Sequence, residues 1–275
     1  MSKDTIGVYA FVTSNWKELD YPLDLWIRHN SQLFDEVALV TYGKVKEIPY
    51  ETNNLIIKEI EPPDKVRYDF YTTGKKKAQD LLNTDWKILL DVDEFLTRTP
   101  KVENLNKELT YKLNYIHAYG NIYSIIKCNK EFAYTVPRVH FGERNVVGDG
   151  QVDGPYSLRV IGEFYHVNCV RNPLALSIKW KEQIKREMNE KEYKDSKRIK
   201  FLINKFDYSR YKEIWPGSFL VQIKRNRIPD IILENEKRFS WCQFKGIPEE
   251  GSFADFIRTY YCKFIWNLQK ILRKF

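Results

Sequence analysis

Two aspartates two residues apart follow a short apolar run, in the segment Trp86–Thr97 (WKILLDVDEFLT). Asp91 and Asp93 come directly after a predicted buried strand, and alternate residues of an extended segment point to the same side. Two converging carboxylates repel each other unless a cation lies between them or one stays protonated. Hard divalent ions such as Mg²⁺ and Mn²⁺ prefer oxygen ligands. The pair therefore indicates a metal site that could bridge a nucleotide diphosphate and neutralise a departing phosphate.

A D-x-D pair on its own also has an ordinary structural interpretation. It arises by chance in many proteins, and an Asp at a strand end often caps the turn or helix that follows. The position of the pair favours a ligand-binding role, because ligands of open α/β sheets bind beyond the carboxyl ends of the strands. Both Thr13–Trp16 and Asp91–Phe95 are expected to lie at that edge.

The elements that must position these residues are predicted from hydrophobic patterning. We expect strands at Ile6–Thr13, Glu36–Tyr42, Asn54–Ile60, Trp86–Leu90, Asn121–Lys127 and Tyr156–Val167. We expect helices at Leu23–Phe34, Thr72–Leu82, Leu174–Lys194, Ser196–Phe206 and Phe253–Phe275. Strands alternating with helices in the first 95 residues predict an α/β fold with a mostly parallel central sheet flanked by helices. The glycine-rich loop Gly142–Gly154 is expected to be mobile.

The segment GKKKAQDLLNTDWKILLDVDEFL (74–96) resembles the helix–strand–aspartate region of family-2-like GT-A glycosyltransferases of the D-x-D-E-F type. IGVYAFVTSNW (6–16) and PLDLWIRHNSQLFDEVALVTY (22–42) are similar to their first strand, first helix and second strand. The resemblance covers about residues 5–100 well and 135–185 more loosely. It implies a GT-A (nucleotide-diphospho-sugar transferase) fold over residues 1–215, with a helical C-terminal extension over 216–275. It also implies a nucleotide-sugar donor, UDP- or GDP-linked, and a Mn²⁺ or Mg²⁺ cofactor.

The resemblance also implies which residues contact the donor. In such enzymes the end of the first strand cradles the base, and a basic residue of the helix before the aspartates reaches the nucleotide. The corresponding donor-binding residues here are Thr13, Ser14, Asn15, Lys75, Asp91 and Val92. Two departures stand out: Lys75 replaces the more usual Arg, and Thr41–Gly43 replaces an Asp-rich segment. An ordinary turn at residues 13–15 and a solvated lysine face are the structural alternatives.

Later positions supply an implied catalytic base and a third metal ligand. Asp153 falls where the family places its catalytic carboxylate, which takes a proton from the acceptor hydroxyl in an inverting transfer. Asp149 and Glu143 are rivals on the same loop. His166 falls where many GT-A enzymes place a third metal ligand, beside Asp91 and Asp93. The alternatives are an Asp-Gly turn at residue 153 and a hydrogen-bonded core histidine at residue 166.

The amino-acid composition limits the classes of protein to which this chain can belong. The chain has 275 residues, of which 43% are hydrophobic and 15% aromatic, so it can form a real core. Its four cysteines form no C-x-x-C pair, which argues against a zinc knuckle or a disulfide scaffold and favours a reducing compartment. No apolar run is long enough for a transmembrane helix or a signal peptide. We expect a cytoplasmic protein, peripheral on the cytoplasmic face of a membrane.

Positive charge is concentrated in the C-terminal third. The net charge is +8, and basic residues accumulate at 179–212 and 253–275. The second segment is an amphipathic helix with basic and aromatic residues, which either packs on the domain or lies on a membrane. Nucleic acid and an anionic membrane surface are the candidate partners by charge alone. The resemblance favours the membrane, because many such transferases act on lipid-linked acceptors, and no nucleic acid is expected.

Three functions are therefore weighed. A metal-dependent, inverting hexosyltransferase acting on a glycan or lipid-linked acceptor fits the aspartates and the resemblance. A nucleotidyltransferase ranks low, because Thr13–Trp16 lacks the Gly-rich, basic phosphate loop those enzymes carry after their first strand. A non-enzymatic basic module that binds membrane or nucleic acid leaves the buried strand ending in DVDEF unexplained.

Overall fold

The computed structural model describes residues 4–44, 48, 52–63, 68–127, 135–148, 150–187, 206–210, 212 and 218–272. The chain forms two compact units that interleave along the sequence. The first unit comprises Met1–Tyr115, Thr135–Phe164 and Lys185–Met188, and the second comprises Ile116–Tyr134, Tyr165–Ile184 and Asn189–Phe275. The domain boundary predicted at residue 215 falls inside the second unit.

The six predicted strands are present in the predicted order, and the described residues contain six further strands that were not predicted. The strands are β1 (Ile6–Thr13), β2 (Glu36–Tyr42), β3 (Leu55–Ile60), β4 (Trp86–Leu89), β5 (Glu94–Arg98), β6 (Thr110–Tyr119), β7 (Asn121–Lys127), β8 (Thr135–Phe141), β9 (Val146–Val147), β10 (Gln151–Val152), β11 (Tyr156–Cys169) and β12 (Phe219–Gln222). Those that were not predicted are β5, β6, β8, β9, β10 and β12. The helices are α1 (Leu23–Leu33), α2 (Tyr68–Gln79), α3 (Pro173–Glu187), α4 (Asp230–Glu234) and α5 (Phe253–Leu272). The helix predicted at Ser196–Phe206 lies, except for its last residue, outside the described residues.

The first unit contains a sheet in the order β3-β2-β1-β4-β8-β6. The pairs β1–β2, β2–β3 and β1–β4 are parallel, as predicted, whereas β4–β8 and β8–β6 are antiparallel. The fold is therefore α/β with a mixed central sheet, parallel only in its first four strands. Because these four strands run the same way, their carboxyl ends share one edge, where Thr13 pairs with Tyr42.

Burial explains why these segments form strands and helices. β1 is an apolar run whose residues Val8, Tyr9 and Ala10 are fully buried, as expected for a parallel strand covered on both faces. α1 has an amphipathic pattern and buries Trp26 and Ile27. The helices thus cover a sheet whose strands β1 and β2 are mostly apolar, whereas β4 and β8 also bury Lys87, Arg138 and His140.

The glycine-rich loop at Gly142–Gly154 is folded as a small hairpin, which differs from the expected mobile loop. Strand β9 pairs antiparallel with β10. Val146 and Val152 are buried in the same core cluster as Tyr9 and Leu89. Burial of these two valines holds the hairpin on the first unit.

A buried polar network lies within this core. His140 donates from Nδ1 to the carbonyl of Gly142 (3.0 Å), so its Nε2 accepts from the hydroxyl of Tyr9 (3.1 Å). The Gln79 amide nitrogen in turn donates to the Tyr9 oxygen (3.1 Å). Burial is the main reason that the pKa of His140 is lowered to about 3. His140 is therefore a neutral, hydrogen-bonded core residue.

The pH dependence of the free energy of unfolding should reflect the lowered pKa of His140. Its folded pKa is about 3 and its ordinary pKa is 6.5, so folding favours the neutral ring. Its contribution is complete above pH 6.5 and is lost as the pH falls toward 3. Lowering the pH from 6.5 to about 5 should cost about 2 kcal/mol more in the wild type than in His140→Gln. Urea unfolding at both pH values measures this difference, and equal pH dependence in the two proteins would contradict it.

The second unit is built around antiparallel strands. β7 pairs with the end of β6 and with β12. Its core includes buried residues of β6, β7, β11, β12 and α3, namely Tyr119, Ile126, Cys169, Leu176 and Leu220. α5 confirms the predicted C-terminal helix over Phe253–Leu272. Within the described residues, no helix combines the length and hydropathy needed to cross a membrane.

Candidate functional site

The two aspartates lie on a tight turn at the carboxyl end of β4. The Glu94 amide donates to the carbonyl of Asp91 (2.9 Å), and the Glu94 carboxylate accepts from the Asp91 amide (2.8 Å). The segment is therefore a turn and not the extended stretch assumed from sequence, because the side chain and main chain of Glu94 close it. Asp91 is partly exposed, whereas Asp93 and Val92 are buried. Only Asp91 presents a substantially accessible carboxylate here.

A buried lysine neutralises the first aspartate. Lys75 Nζ lies 2.7 Å from Asp91 Oδ1, and the lysine side chain is 1% exposed. α2 carries Lys75 to this position because Gly74 lets the helix approach β1: a Cβ on Gly74 would lie 2.7 Å from the Phe11 ring. The Phe11 ring also lies beside the ammonium, 5.9 Å from Nζ to the ring centroid. The predicted site residues Lys75 and Asp91 are thus in direct contact.

Charges around Asp91 keep it ionised. Burial alone would raise its pKa, but the positive charges of Lys75 and Arg138 outweigh both burial and the repulsion from Asp93. The pKa of Asp91 is therefore lowered. An ionised Asp91 is the form that can pair with a cation.

A second ion pair is buried beside the first. Arg138 Nη2 donates to Glu94 Oε1 (2.9 Å), and both side chains are at most 5% exposed. Arg138 Nη1 also donates to the carbonyl of Leu89 (3.4 Å), the last residue of β4. Since Glu94 also accepts from the Asp91 amide, Arg138 holds the turn through Glu94. Arg138 is thus a positioning residue for the aspartate turn.

Gly150 of the hairpin loop approaches both cations closely. A Cβ at this position would lie 3.0 Å from Lys75 Nζ and 3.0 Å from Arg138 Nη1. Its φ of +117° is also in the region that favours glycine. The hairpin therefore contacts the site through bare backbone, which any larger residue would push away.

The ligand atoms of Asp91 and Asp93 suit a hard divalent cation. Together with Glu94, Lys75 and Arg138 they leave one net negative charge at this edge. Mg²⁺ is commonly held by one or two carboxylates, with substrate phosphates and water as the other ligands. Among the residues that the structure describes, no group of three or more His, Cys, Asp or Glu side chains is placed to hold a metal. Asp91 is thus the accessible carboxylate for a metal whose remaining ligands would come from a bound diphosphate and water, and the role of the buried Asp93 as a ligand stays a prediction.

The predicted donor loop lies at the same edge of the sheet. Ser14 donates its amide to the carbonyl of Tyr42 (3.0 Å), and the Thr13 hydroxyl donates to Asn15 Oδ1 (2.6 Å). Tyr42, the last residue of β2, is buried, and its hydroxyl donates to the carbonyl of Phe70 (2.6 Å). The loop is a compact turn that also carries polar side chains. It therefore agrees both with the interpretation as an ordinary turn and with the interpretation as a donor-binding loop.

An aromatic cluster adjoins this loop. The Phe11 ring lies 5.3 Å from Tyr42 and 6.0 Å from Tyr71, measured between ring centroids. Phe11 and Tyr71 are both partly exposed. The cluster places partly exposed aromatic residues beside the loop, and aromatic rings are groups on which a planar base can stack.

The candidate bases lie along the hairpin loop. Asp153 is exposed, and its Oδ1 accepts from the amide of Gly154 (2.8 Å), which is the Asp-Gly turn weighed from sequence. Glu143 is also exposed, with Oε2 3.5 Å from Lys76 Nζ. Asp149, the third candidate, lies outside the described residues.

His166 belongs to the second unit. Its ring lies 5.1 Å from the ring of His117, which is buried. The role of His166 as a third metal ligand stays a prediction.

The chain resembles several solved structures only distantly. No protein-family model matches it, and no curated protein matches it. Among solved structures, S. aureus TarS 1–349 in complex with UDP-GlcNAc is similar over 68% of this chain and 69% of that chain, at 10% identity and a TM-score of 0.35. The galactosyltransferase LgtC, in complex with donor and acceptor sugar analogues, is similar over 40% of this chain and 46% of that chain, at 11% identity and a TM-score of 0.27.

A third solved structure belongs to a different class. A protein described as a glucose-1-phosphate thymidylyltransferase of Bacillus anthracis, in complex with sucrose, is similar over 87% of this chain and 97% of that chain, at 9% identity and a TM-score of 0.28. The chain spans less than half the length of LgtC and 42% of a longer TarS structure. Since all these TM-scores are below 0.5, the likenesses establish neither a fold family nor an activity.

Arg138, Glu94 and Gly150 were not predicted as parts of the site. Arg138 stands in an apolar strand segment (VPRVHF, 136–141), and a cation buried in such a strand needs a carboxylate partner. Glu94 directly follows the aspartates. Its ion pair with Arg138 could therefore have been proposed from this position and from the need of a buried arginine for a carboxylate. Gly150 carried no comparable signal among the glycines of its loop.

Proposed function

We propose that this chain is a metal-dependent glycosyltransferase of GT-A type, in the family-2-like D-x-D-E-F class, that moves a sugar from a nucleotide-diphosphate sugar to an acceptor hydroxyl. One observation carries the proposal: the buried Lys75 ammonium contacts Asp91 at the carboxyl edge of a parallel sheet, next to Asp93. A cation and two carboxylates placed there suit a diphosphate with its metal.

The donor, a UDP- or GDP-sugar, would lie along this edge. Asp91 and Asp93 would hold Mn²⁺ or Mg²⁺, with His166 as a third ligand. When bound, the metal neutralises charge on the departing diphosphate. Lys75 would donate to a phosphate oxygen while it stays paired with Asp91.

The base and ribose would lie toward the end of β1. The polar groups of Thr13, Ser14 and Asn15 would contact them, and Val92 would contribute its main chain because its side chain is buried. The rings of Phe11 and Tyr71 give a planar base an aromatic face.

The transfer we propose is inverting, with Asp153 as the base. The acceptor oxygen forms a bond to the anomeric carbon, and the bond from that carbon to the diphosphate oxygen breaks. The acceptor proton goes to the carboxylate of Asp153. Glu143 and Asp149 are the rival bases.

The sugar would be a hexose and the acceptor a glycan or a lipid-linked glycan, on the cytoplasmic side of a membrane. A lipid-linked acceptor requires the enzyme to work at a membrane surface. The chain would do this as a peripheral protein, and nucleic acid is not expected as a partner.

A thermal-shift screen of nucleoside diphosphates and sugar nucleotides, with and without Mn²⁺ or Mg²⁺, tests the proposal. A ligand at about 100 times its Kd adds about 2.7 kcal/mol of stability. We expect one nucleotide to stabilise the protein only when metal is present. The matching sugar nucleotide should then release nucleoside diphosphate when acceptor glycans are added, and Asp153→Asn should lose this turnover while it keeps donor binding.

Other outcomes would point elsewhere. Release of pyrophosphate from a nucleoside triphosphate and a sugar phosphate would make the chain a nucleotidyltransferase. Absence of any nucleotide effect, with or without metal, would contradict the proposal and favour a binding module. Loss of turnover in Glu143→Gln, with Asp153→Asn still active, would move the base to Glu143.

A further inference from the structure

Helix α5 presents an aromatic face that the described part of the chain leaves exposed. Six large apolar residues in its first three turns are each between 49% and 79% exposed: Phe253, Phe256, Ile257, Tyr260, Tyr261 and Phe264. The Phe256 and Tyr260 rings contact each other, with centroids 4.5 Å apart. A contiguous exposed apolar face of this kind marks an interaction surface.

The opposite side of the helix is anchored to the second unit. Asp255 is 4% exposed, and its carboxylate lies 2.6 Å from Lys127 Nζ of β7. The Gly251 amide also donates to Asp255 (2.9 Å). These contacts fix the first turn of α5, so the aromatic residues cannot turn inward without breaking a buried ion pair.

The charge of α5 indicates what covers this face. Residues 253–275 contain five cations, Arg258, Lys263, Lys270, Arg273 and Lys274, and Asp255 as the only acid. Asp255 forms an ion pair with Lys127, so no acidic residue of this segment offsets the charge of the five cations. A second copy packed through the same helix would bring like charges together, whereas an anionic surface would attract them.

We propose that α5 lies in the interface of an anionic lipid membrane, with its aromatic face at the boundary between headgroups and acyl chains. Aromatic side chains favour this boundary, and the basic residues would contact anionic headgroups. The helix does not meet the requirements for a spanning helix, so it would lie in the plane of the membrane. This inference goes beyond the proposed sugar transfer and does not depend on it.

Co-sedimentation with phosphatidylcholine vesicles, with and without phosphatidylglycerol, tests this inference. We expect the full chain to bind only the anionic vesicles, with affinity that falls as salt is added. The double variant Phe256→Ala/Phe264→Ala should weaken this binding by about tenfold or more, since two exposed rings no longer enter the interface. Arg258→Glu should weaken it by about fivefold or more.

Controls keep the test independent of folding and of sugar transfer. Leu158→Ala removes a side chain that is 93% exposed on β11, and it should bind vesicles as the wild type does. Thermal midpoints of the variants show whether they fold, and nucleotide binding should be unchanged in all of them. Equal binding to both kinds of vesicle, unchanged binding in both α5 variants, or self-association that the double variant abolishes would overturn the inference.

Discussion

Replacing Asp91 with asparagine is expected to abolish metal-dependent nucleotide binding. The change removes one of the two carboxylates proposed to hold the metal and leaves the Lys75 ammonium without its 2.7 Å partner. Losing a partly buried charged ligand should weaken binding by about 100-fold or more. Titration calorimetry with the nucleotide identified in the screen, in the presence and absence of metal, measures the change.

The control for this prediction is Asp80→Asn. Asp80 is exposed on the surface and lies 2.9 Å from Lys76, so its loss removes the same kind of charge without reaching the site. We expect Asp80→Asn to bind the nucleotide as the wild type does. If Asp91→Asn keeps its affinity and its metal requirement, the assignment of the aspartates is wrong.

The largest stability effect is expected from Arg138→Met. This change leaves Glu94 as an uncompensated buried charge, because both partners of the ion pair are at most 5% exposed. Breaking a buried pair at one end costs about 3–5 kcal/mol. For a chain of this size that corresponds to a fall in thermal midpoint of about 10 °C. Denaturant unfolding followed by circular dichroism gives the free energy directly.

The double variant Arg138→Met/Glu94→Gln separates charge from packing. It removes both buried charges, and the side-chain carbonyl of the introduced glutamine can still accept from the Asp91 amide, so most of the lost stability should return. Lys107→Met is the surface control, because its ion pair with Asp4 is exposed to solvent, and it should lower stability much less than Arg138→Met does. A double variant no more stable than Arg138→Met would show that packing, not charge, explains the loss.

The order and type of most elements could be predicted from sequence. The bounds of β1, β2 and β7 agree with the predictions to the residue, because each is a mostly buried apolar run and Ser14, Gly43 and Gly120 mark the end of β1, the end of β2 and the start of β7. The hairpin β9–β10 was missed because each of its strands has only two residues, too few to show a period. Its two buried valines stand among glycines and charged residues in the sequence, so no apolar run indicated that they are buried.

The sequence by itself determined that two aspartates follow a buried strand and that a lysine-rich helix precedes it. Local patterning carries that information, because a strand's end is marked by its own residues. Tertiary structure alone decided that Lys75, and not its neighbours, pairs with Asp91, and that Arg138 pairs with Glu94 across 44 positions. Such contacts depend on how strands align in the sheet, and local periodicity does not encode that alignment. For the same reason, the spacing of the two aspartates did not predict the turn on which they lie. The contacts of Glu94 close this turn, which leaves Asp91 partly exposed and Asp93 buried.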